Sequence, residues 1–239
     1  MVFGMRTIGL LGGMSWESTQ NYYAMINQQV NKRLGGLHSA KIVMISVDFS
    51  EIEEKQATGD WRAAATILSD AAQKLETAGA DCFAICTNTM HEVFEEVREA
   101  VKIPGLHIAD AVGMYAQQHN YCTLALFGTR FTMERDFLKK RLLSKHNIHI
   151  IIPGEEQRSD IHRIIYEELC LGEVRDGSRD IFLAAIRELT RHKIDGVILG
   201  CTEIGMLIQQ SDTRVPILDS TGLHAQALVE FALNQEAQL

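Results

Sequence analysis

The sequence is short of several things, and each shortage narrows the problem. It has no block of Lys and Arg: 23 basic residues stand against 31 acidic ones, a formal net charge of −8. A protein that grips nucleic acid by its phosphates needs a basic face, so nucleic-acid binding is not expected. No apolar run approaches the ~20 residues that span a bilayer, and the start does not read as a signal peptide. Neither membrane insertion nor secretion is expected, and the expected location is cytoplasmic. Cysteine is scarce and odd in number, five in all, without paired spacing. That argues for reduced thiols and against a disulfide framework. No C-x2-C pair and no H-E-x-x-H occurs, so no metal is expected. With only three prolines and no Ser/Gly-rich stretch, no linker is evident.

What is present is the composition of a well-packed globular protein, 46% hydrophobic and 23% charged. Apolar runs alternate with helical patterns. Residues 7–13, 41–49 and 82–86 read as buried strands. Helices are expected from about Thr19 to Gly35, from Trp61 to Glu76 and from His91 to Val101. The same order then restarts, with strands at 123–129, 147–152 and 195–200. Helices in this half are expected at Glu134–His146, Ile161–Leu171, Arg179–His192, Thr202–Gln210 and Gly222–Asn234. Continuous apolar strands separated by helices indicate parallel sheets covered on both faces.

The restart is an internal repeat. Aligned without gaps, Asp81 falls on Asp195, Cys86 on Gly200 and Thr87 on Cys201; Gly12 falls on Gly128 and Pro104 on Pro216. The fold class is therefore α/β, with two pseudo-symmetric doubly wound domains. In such sheets ligands bind at the carboxyl ends of the strands, which places the active site in the cleft between the two domains.

Two turns stand out because they match each other. Thr87-Asn88-Thr89 and Cys201-Thr202-Glu203 each follow a buried strand and open a helix. Free N–H groups at a helix start bind anions and lower a thiol's pKa, which makes Cys201 a candidate thiolate. An isolated Cys is ordinarily an inert core residue, but the matched polar turns favour function. The loop Gly12-Gly13-Met14-Ser15-Trp16-Glu17 lets backbone N–H groups approach a carboxylate or phosphate. It matches neither the dinucleotide fingerprint nor a P-loop, and a tight turn without a ligand explains it equally well. Cys82, Cys86, Cys122 and Cys170 read as core residues. Asp110 and Asp219 read as equivalent helix N-caps. Tyr22, Tyr23, Ile26 and Val30 have the helical spacing of a core or interface face, and Glu51, Glu53 and Glu54 that of a solvated one.

The motifs Gly12-Gly13-Met14-Ser15-Trp16-Glu17-Ser18, Cys86-Thr87-Asn88-Thr89-Met90-His91 and Gly200-Cys201-Thr202-Glu203-Ile204, in order over nearly the whole chain, resemble the aspartate/glutamate racemase family. The resemblance implies cofactor-independent chemistry without pyridoxal phosphate, a homodimer, and a small amino-acid substrate held between two domains. It implies boundaries of 1–107 plus 215–239 for the first domain and 108–214 for the second. Two cysteines work from opposite faces of Cα in that family, and Cys201 matches the second. Asn88, Thr89 and Thr202 match positions that hold the α-carboxylate and amino group. Met14 and Thr129 match loop positions lining the site. Glu203 matches a place to organise the cysteine or the ammonium, and Gln56 a side-chain-recognition position that is Arg in some members.

The first catalytic cysteine is missing: the sequence has Thr87 there, with Cys86 one place earlier. Neighbours on a strand face opposite ways, so Thr87 is expected in the site and Cys86 behind it. A threonine hydroxyl is a poor base, while a thiol with pKa near ~8.5 is a usable one. The expected enzyme is therefore lopsided. The second cysteine faces the proton of the L form in that family, so the resemblance implies that Cys201 takes the Cα proton of L-aspartate or L-glutamate, that the opposite face is reprotonated near Thr87, and that D forms turn over slowly. The alternatives are a related isomerase or decarboxylase using one thiol, a broader racemase of polar amino acids such as homoserine, and a non-catalytic amino-acid-binding protein.

Overall fold

The computed structural model describes residues 4–234. The chain divides into two compact units: residues up to Ile108 together with those from His224 on, and Ala109–Leu223.

The first unit carries β1 (Ile8–Gly12), α1 (Trp16–Leu34), β2 (Ile42–Ser46), α2 (Phe49–Thr58), α3 (Trp61–Thr77), β3 (Cys82–Ile85) and α4 (Phe94–Glu99). Its three strands are parallel in the order β2-β1-β3. Strand alternation sends β3 two ways. Phe83 and Ile85 face a core with Leu68, Ala72 and Leu75 of α3, while Cys82, Ala84 and Cys86 face Tyr22, Ile26 and Val30 of α1 together with Ala225, Leu228 and Val229. Helices cover both faces, so both faces of the strands are apolar. The sequence pattern expects α1 to begin near Thr19. It begins at Trp16, because the Ser15 hydroxyl accepts the Ser18 N–H.

The second unit carries α5 (Ile108–Gln118), which starts on the last residue of the first unit, then β4 (Thr123–Gly128), α6 (Arg130–Glu134), α7 (Phe137–His146), β5 (His149–Ile151), α8 (Glu155–Glu167), α9 (Asp176–Leu189), β6 (Gly196–Gly200), α10 (Ile204–Leu207) and β7 (Ile217–Asp219). Its parallel sheet runs β5-β4-β6-β7. Helix α11 (Ser220–Leu233) starts in this unit and continues into the first.

The repeat is visible as hydrogen-bond register. Leu11 pairs with Ile85 in the first sheet, and Phe127 pairs with Leu199 in the second. Phe83 N–H donates to the Pro104 carbonyl, and Val197 N–H donates to the Pro216 carbonyl. In the first unit that last contact is a lone bridge, Phe83 to Gly105, whereas in the second it grows into β7.

Several expectations are corrected. Residues 215–223, assigned from sequence to the first domain, belong to the second unit, because β7 pairs with β6. Asp110 is not an N-cap. It lies inside α5 and takes a two-pronged ion pair from Arg141, 2.7 Å at each oxygen. Register makes His107, not Asp110, the counterpart of Asp219. Cys122 and Cys170 are exposed rather than core. The helix expected from Glu134 to His146 is split into α6 and α7, and α10 is a single turn rather than Thr202–Gln210.

Candidate active site

In the first unit, β1 delivers the glycine loop. A side chain at Gly12 would stand 2.3 Å from Thr19 Cγ2, and one at Gly13 would stand 2.1 Å from the Val47 carbonyl, with φ already +93°. Only glycine fits either place. The loop is fastened by its own polar groups. Gly13 N–H donates to Thr19 Oγ1 (2.9 Å), and that hydroxyl donates to the Ser15 carbonyl (2.8 Å). Met14, expected to line the site, has its side chain buried in the core with Ile52, Ala64 and Met90. Gln56, on α2, is buried, and its Nε2 donates to Met90 Sδ at 2.9 Å.

β3 ends at Ile85, and the chain turns through Cys86 and Thr87 into a 3₁₀ turn at Thr89–Val93. Cys86 is fully buried behind the turn, and desolvation pushes its thiol far above the usual range. Thr87 is half-buried, while Asn88 and Thr89 are buried. Two side chains clamp this turn. Ser18 Oγ donates to the Cys86 carbonyl (2.9 Å), and the His91 ring approaches the Thr87 carbonyl through Nδ1 (2.8 Å).

In the second unit, β6 ends at Gly200 and is followed by Cys201, Thr202 and Glu203, all half-buried. Glu203 gathers the other two. The Cys201 thiol donates to its Oε2 at 2.8 Å, and the Thr202 hydroxyl donates to the same oxygen at 2.7 Å. Burial first, and the Glu203 carboxylate second, push the Cys201 thiol well above its usual value. This reverses the expectation of a depressed pKa. The helix that was to stabilise a thiolate is only Ile204–Leu207, and a single turn has little dipole to offer. Cys201 is a thiol that donates to a carboxylate.

Thr129, expected to bind substrate, caps α6: its Oγ1 accepts the Thr132 N–H at 3.2 Å. Asp219 sits at the carboxyl end of β7, where burial raises its pKa against the N–H groups of Gly222 and Thr221. Among the arginines of this unit, Arg158 binds Glu134 (3.0 Å) and the Pro153 carbonyl (2.8 Å), and Arg163 binds Glu168 (3.2 Å). Arg130 reaches Ser159 at 2.8 Å and is more exposed than Arg158. Among the described residues, no three His, Cys, Asp or Glu side chains gather as a metal would need. Sequence reasoning missed His91 and Ser18. The available signal was the four-residue step from Thr87 to His91, which places a helical side chain over the preceding turn.

The sequence model of the Asp/Glu/hydantoin racemase family matches residues 11–228. A crystal structure of a candidate Asp/Glu racemase from Yersinia pestis is 50% identical, with a TM-score of 0.92, covering 96% of this chain and 100% of that one. An aspartate racemase homologue from Pyrococcus horikoshii OT3 is 33% identical, with a TM-score of 0.85 over 95% and 99% of the two chains. The broad specificity amino-acid racemase of Bacillus subtilis is 24% identical over 95% of this chain and 98% of its own. The matched span contains both polar turns and the glycine loop.

Proposed function

The chain belongs to the Asp/Glu/hydantoin racemase family, and from that premise we propose a cofactor-independent racemase of acidic amino acids that works mainly on the L enantiomers. The observation that carries this reading is the Cys201–Glu203 hydrogen bond set against a threonine at the equivalent turn. Removing a Cα proton without an electron sink leaves an unstable carbanion. The site must offset that with oriented donors on the carboxylate and a base in contact with Cα.

In this reading Glu203 takes the thiol proton of Cys201 when substrate binds. The thiolate then removes the Cα proton of the L form. The Thr87 hydroxyl supplies a proton to the other face and is itself reprotonated by water, and Glu203 returns its proton to the hydroxide left behind. Asn88, Thr89 and Thr202 bind the α-carboxylate and ammonium. The backbone of the Met14 and Thr129 loops lines the site, and Gln56 meets the side chain. Gln56 is neutral, so its contribution to a carboxylate is a hydrogen bond rather than an ion pair. That favours a wider range of polar amino acids as the second reading. The working form is a cytoplasmic homodimer that needs neither metal nor pyridoxal phosphate.

The experiment follows Cα exchange. Purified protein is incubated in D2O with each enantiomer of aspartate and glutamate, and deuterium incorporation and chirality are read together. Exchange and D product from the L substrates are expected, lost by about 10²- to 10⁴-fold in Cys201→Ala. Equal rates from both enantiomers would defeat the role given to Thr87. No exchange from any of the four would turn the assignment towards another substrate or a binding protein.

A further inference from the structure

The clamp on the Thr87 turn has a defined protonation state. The His91 ring is buried and meets two backbone groups, the Thr87 carbonyl at Nδ1 (2.8 Å) and the Ile108 N–H at Nε2 (3.2 Å). A backbone N–H only donates and a carbonyl only accepts. Nε2 therefore carries the lone pair and Nδ1 the proton, so the ring is a neutral Nδ1–H imidazole. A protonated ring would set one N–H against another. At His224 the Leu106 carbonyl fixes a proton on Nε2 (2.9 Å), while Nδ1 faces the Tyr22 hydroxyl (2.9 Å), which can donate or accept. His107 lies against His91 with ring centroids 4.5 Å apart and the rings tilted by 58°, and Phe94 lies parallel to His91 at 5.7 Å.

The two peptide planes flanking Thr87 are thus both held by side-chain donors. Ser18 holds the carbonyl before Thr87 and His91 holds the carbonyl after it. Fixing both planes fixes the direction of the Thr87 Cα–Cβ bond, so the hydroxyl is left with only the few χ1 rotamers of a β-branched side chain. A cap on the turn would need only one hydrogen bond, which Ser or Asn could make. The imidazole adds a second, rigid attachment to Ile108, where α5 begins.

We propose that His91 is a positioning residue that aims the Thr87 hydroxyl, and so decides whether a carbanion formed at Cα is inverted or returned. This rests on the reading of Thr87 as the group serving the second face. With the clamp intact, a proton arrives from the Thr87 side and the configuration inverts. With it loosened, Cys201, having exchanged its proton with solvent, gives a deuteron back to the face it deprotonated. The product is then deuterated L substrate, with no net change of bonds other than H for D.

The test compares two rates for L-aspartate in D2O: deuterium incorporation with retention, and inversion. In His91→Phe the ratio of inversion to retention is expected to fall at least about tenfold. In His91→Asn, whose amide can still donate to the Thr87 carbonyl, most of the ratio is expected to return. A general loss of structure would lower both rates together and leave the ratio unchanged, and that result overturns the proposal, as does equal behaviour of the two variants. A second measurement does not depend on activity. Imidazole ¹⁵N NMR of the wild-type protein at neutral pH is expected to show His91 as the Nδ1–H form, and an Nε2–H or doubly protonated ring overturns the clamp. Absence of exchange in the wild-type enzyme defeats the racemase reading instead, while the ¹⁵N spectrum still judges the clamp.

Discussion

The turns after β3 and β6 occupy the same place in two similar sheets, yet they are built by opposite means. At Thr87 the side chain carries a weakly acidic hydroxyl, and the backbone on either side is clamped by Ser18 and His91. At Cys201 the carbonyl accepts the Ile204 N–H (3.3 Å), the helix that follows is a single turn, and Glu203 acts on the thiol itself. The difference teaches that pseudo-symmetry of the chain does not oblige symmetry of chemistry. One turn contributes a fixed direction, the other a variable proton affinity.

Removing the carboxylate from the second turn is expected to have the largest effect. In Glu203→Gln the thiol loses a neighbouring negative charge, so its pKa falls and alkylation of Cys201 by iodoacetamide becomes faster at a given pH. Racemisation should nonetheless drop about 10- to 100-fold, because the acceptor for the thiol proton is gone. Faster alkylation with unchanged racemisation would show that Glu203 only raises the pKa. Making the turns alike tests the other side of the comparison. Thr87→Cys is expected to raise turnover of D-aspartate or D-glutamate about tenfold or more, measured by circular dichroism, and an unchanged D rate would sink the assignment of Thr87.

A smaller effect concerns how each unit is braced. The first unit has the cluster of His91, His107 and His224, and the second has Asp110 with Arg141, His146 and Lys145. Burial alone would raise the Asp110 pKa, but the hydrogen bonds and charge of Arg141 outweigh it and hold the group below its usual value. Its stabilising contribution is therefore present above the unfolded pKa and is lost as pH falls through the folded one. Asp110→Asn is expected to cost about 1–3 kcal/mol in urea unfolding at neutral pH, with the gap to wild type closing in acid. The last effect is confined to alkaline pH. Burial raises the Cys82 thiol from 9.0 to about 12, Gly9 and Arg6 lowering it slightly. A raised pKa contributes stability below 9.0 that is lost as pH climbs towards 12, about 1.4 kcal/mol per pH unit for one thiol. Cys82→Ala should flatten that slope in chemical unfolding at successive pH values.

The alternation of strands and helices, the repeat and the equivalence of Thr87 with Cys201 were legible because buried parallel strands are written as continuous apolar runs. The burial of Cys86 followed from strand alternation together with the repeat that sets Thr87 opposite Cys201. Helix α2 was missed as an element: Glu51, Glu53 and Glu54 read only as a solvated face, although Asp48, which accepts the Ser50 N–H, was an available N-cap. The state of Cys201 was not legible, because a pKa depends on burial and on Glu203 folding back over its neighbour, neither of which is a property of spacing. The same holds for Ile108, which is remote in sequence from His91 and reaches it only in the folded unit.

Cys86 and Thr87 differ by one step along a strand, and that step has a bearing on how such a protein can change over generations. Slipping β3 by one residue would carry a sulfur into the place of the hydroxyl. It would also turn Phe83 and Ile85 towards the layer that now holds Cys82 and Ala84 against α1, exchanging large side chains for small ones throughout two packed layers. Single-residue insertions and deletions upstream are therefore closed as a route between one-thiol and two-thiol forms. The open route is a point substitution at position 87, which leaves every register in the sheet untouched.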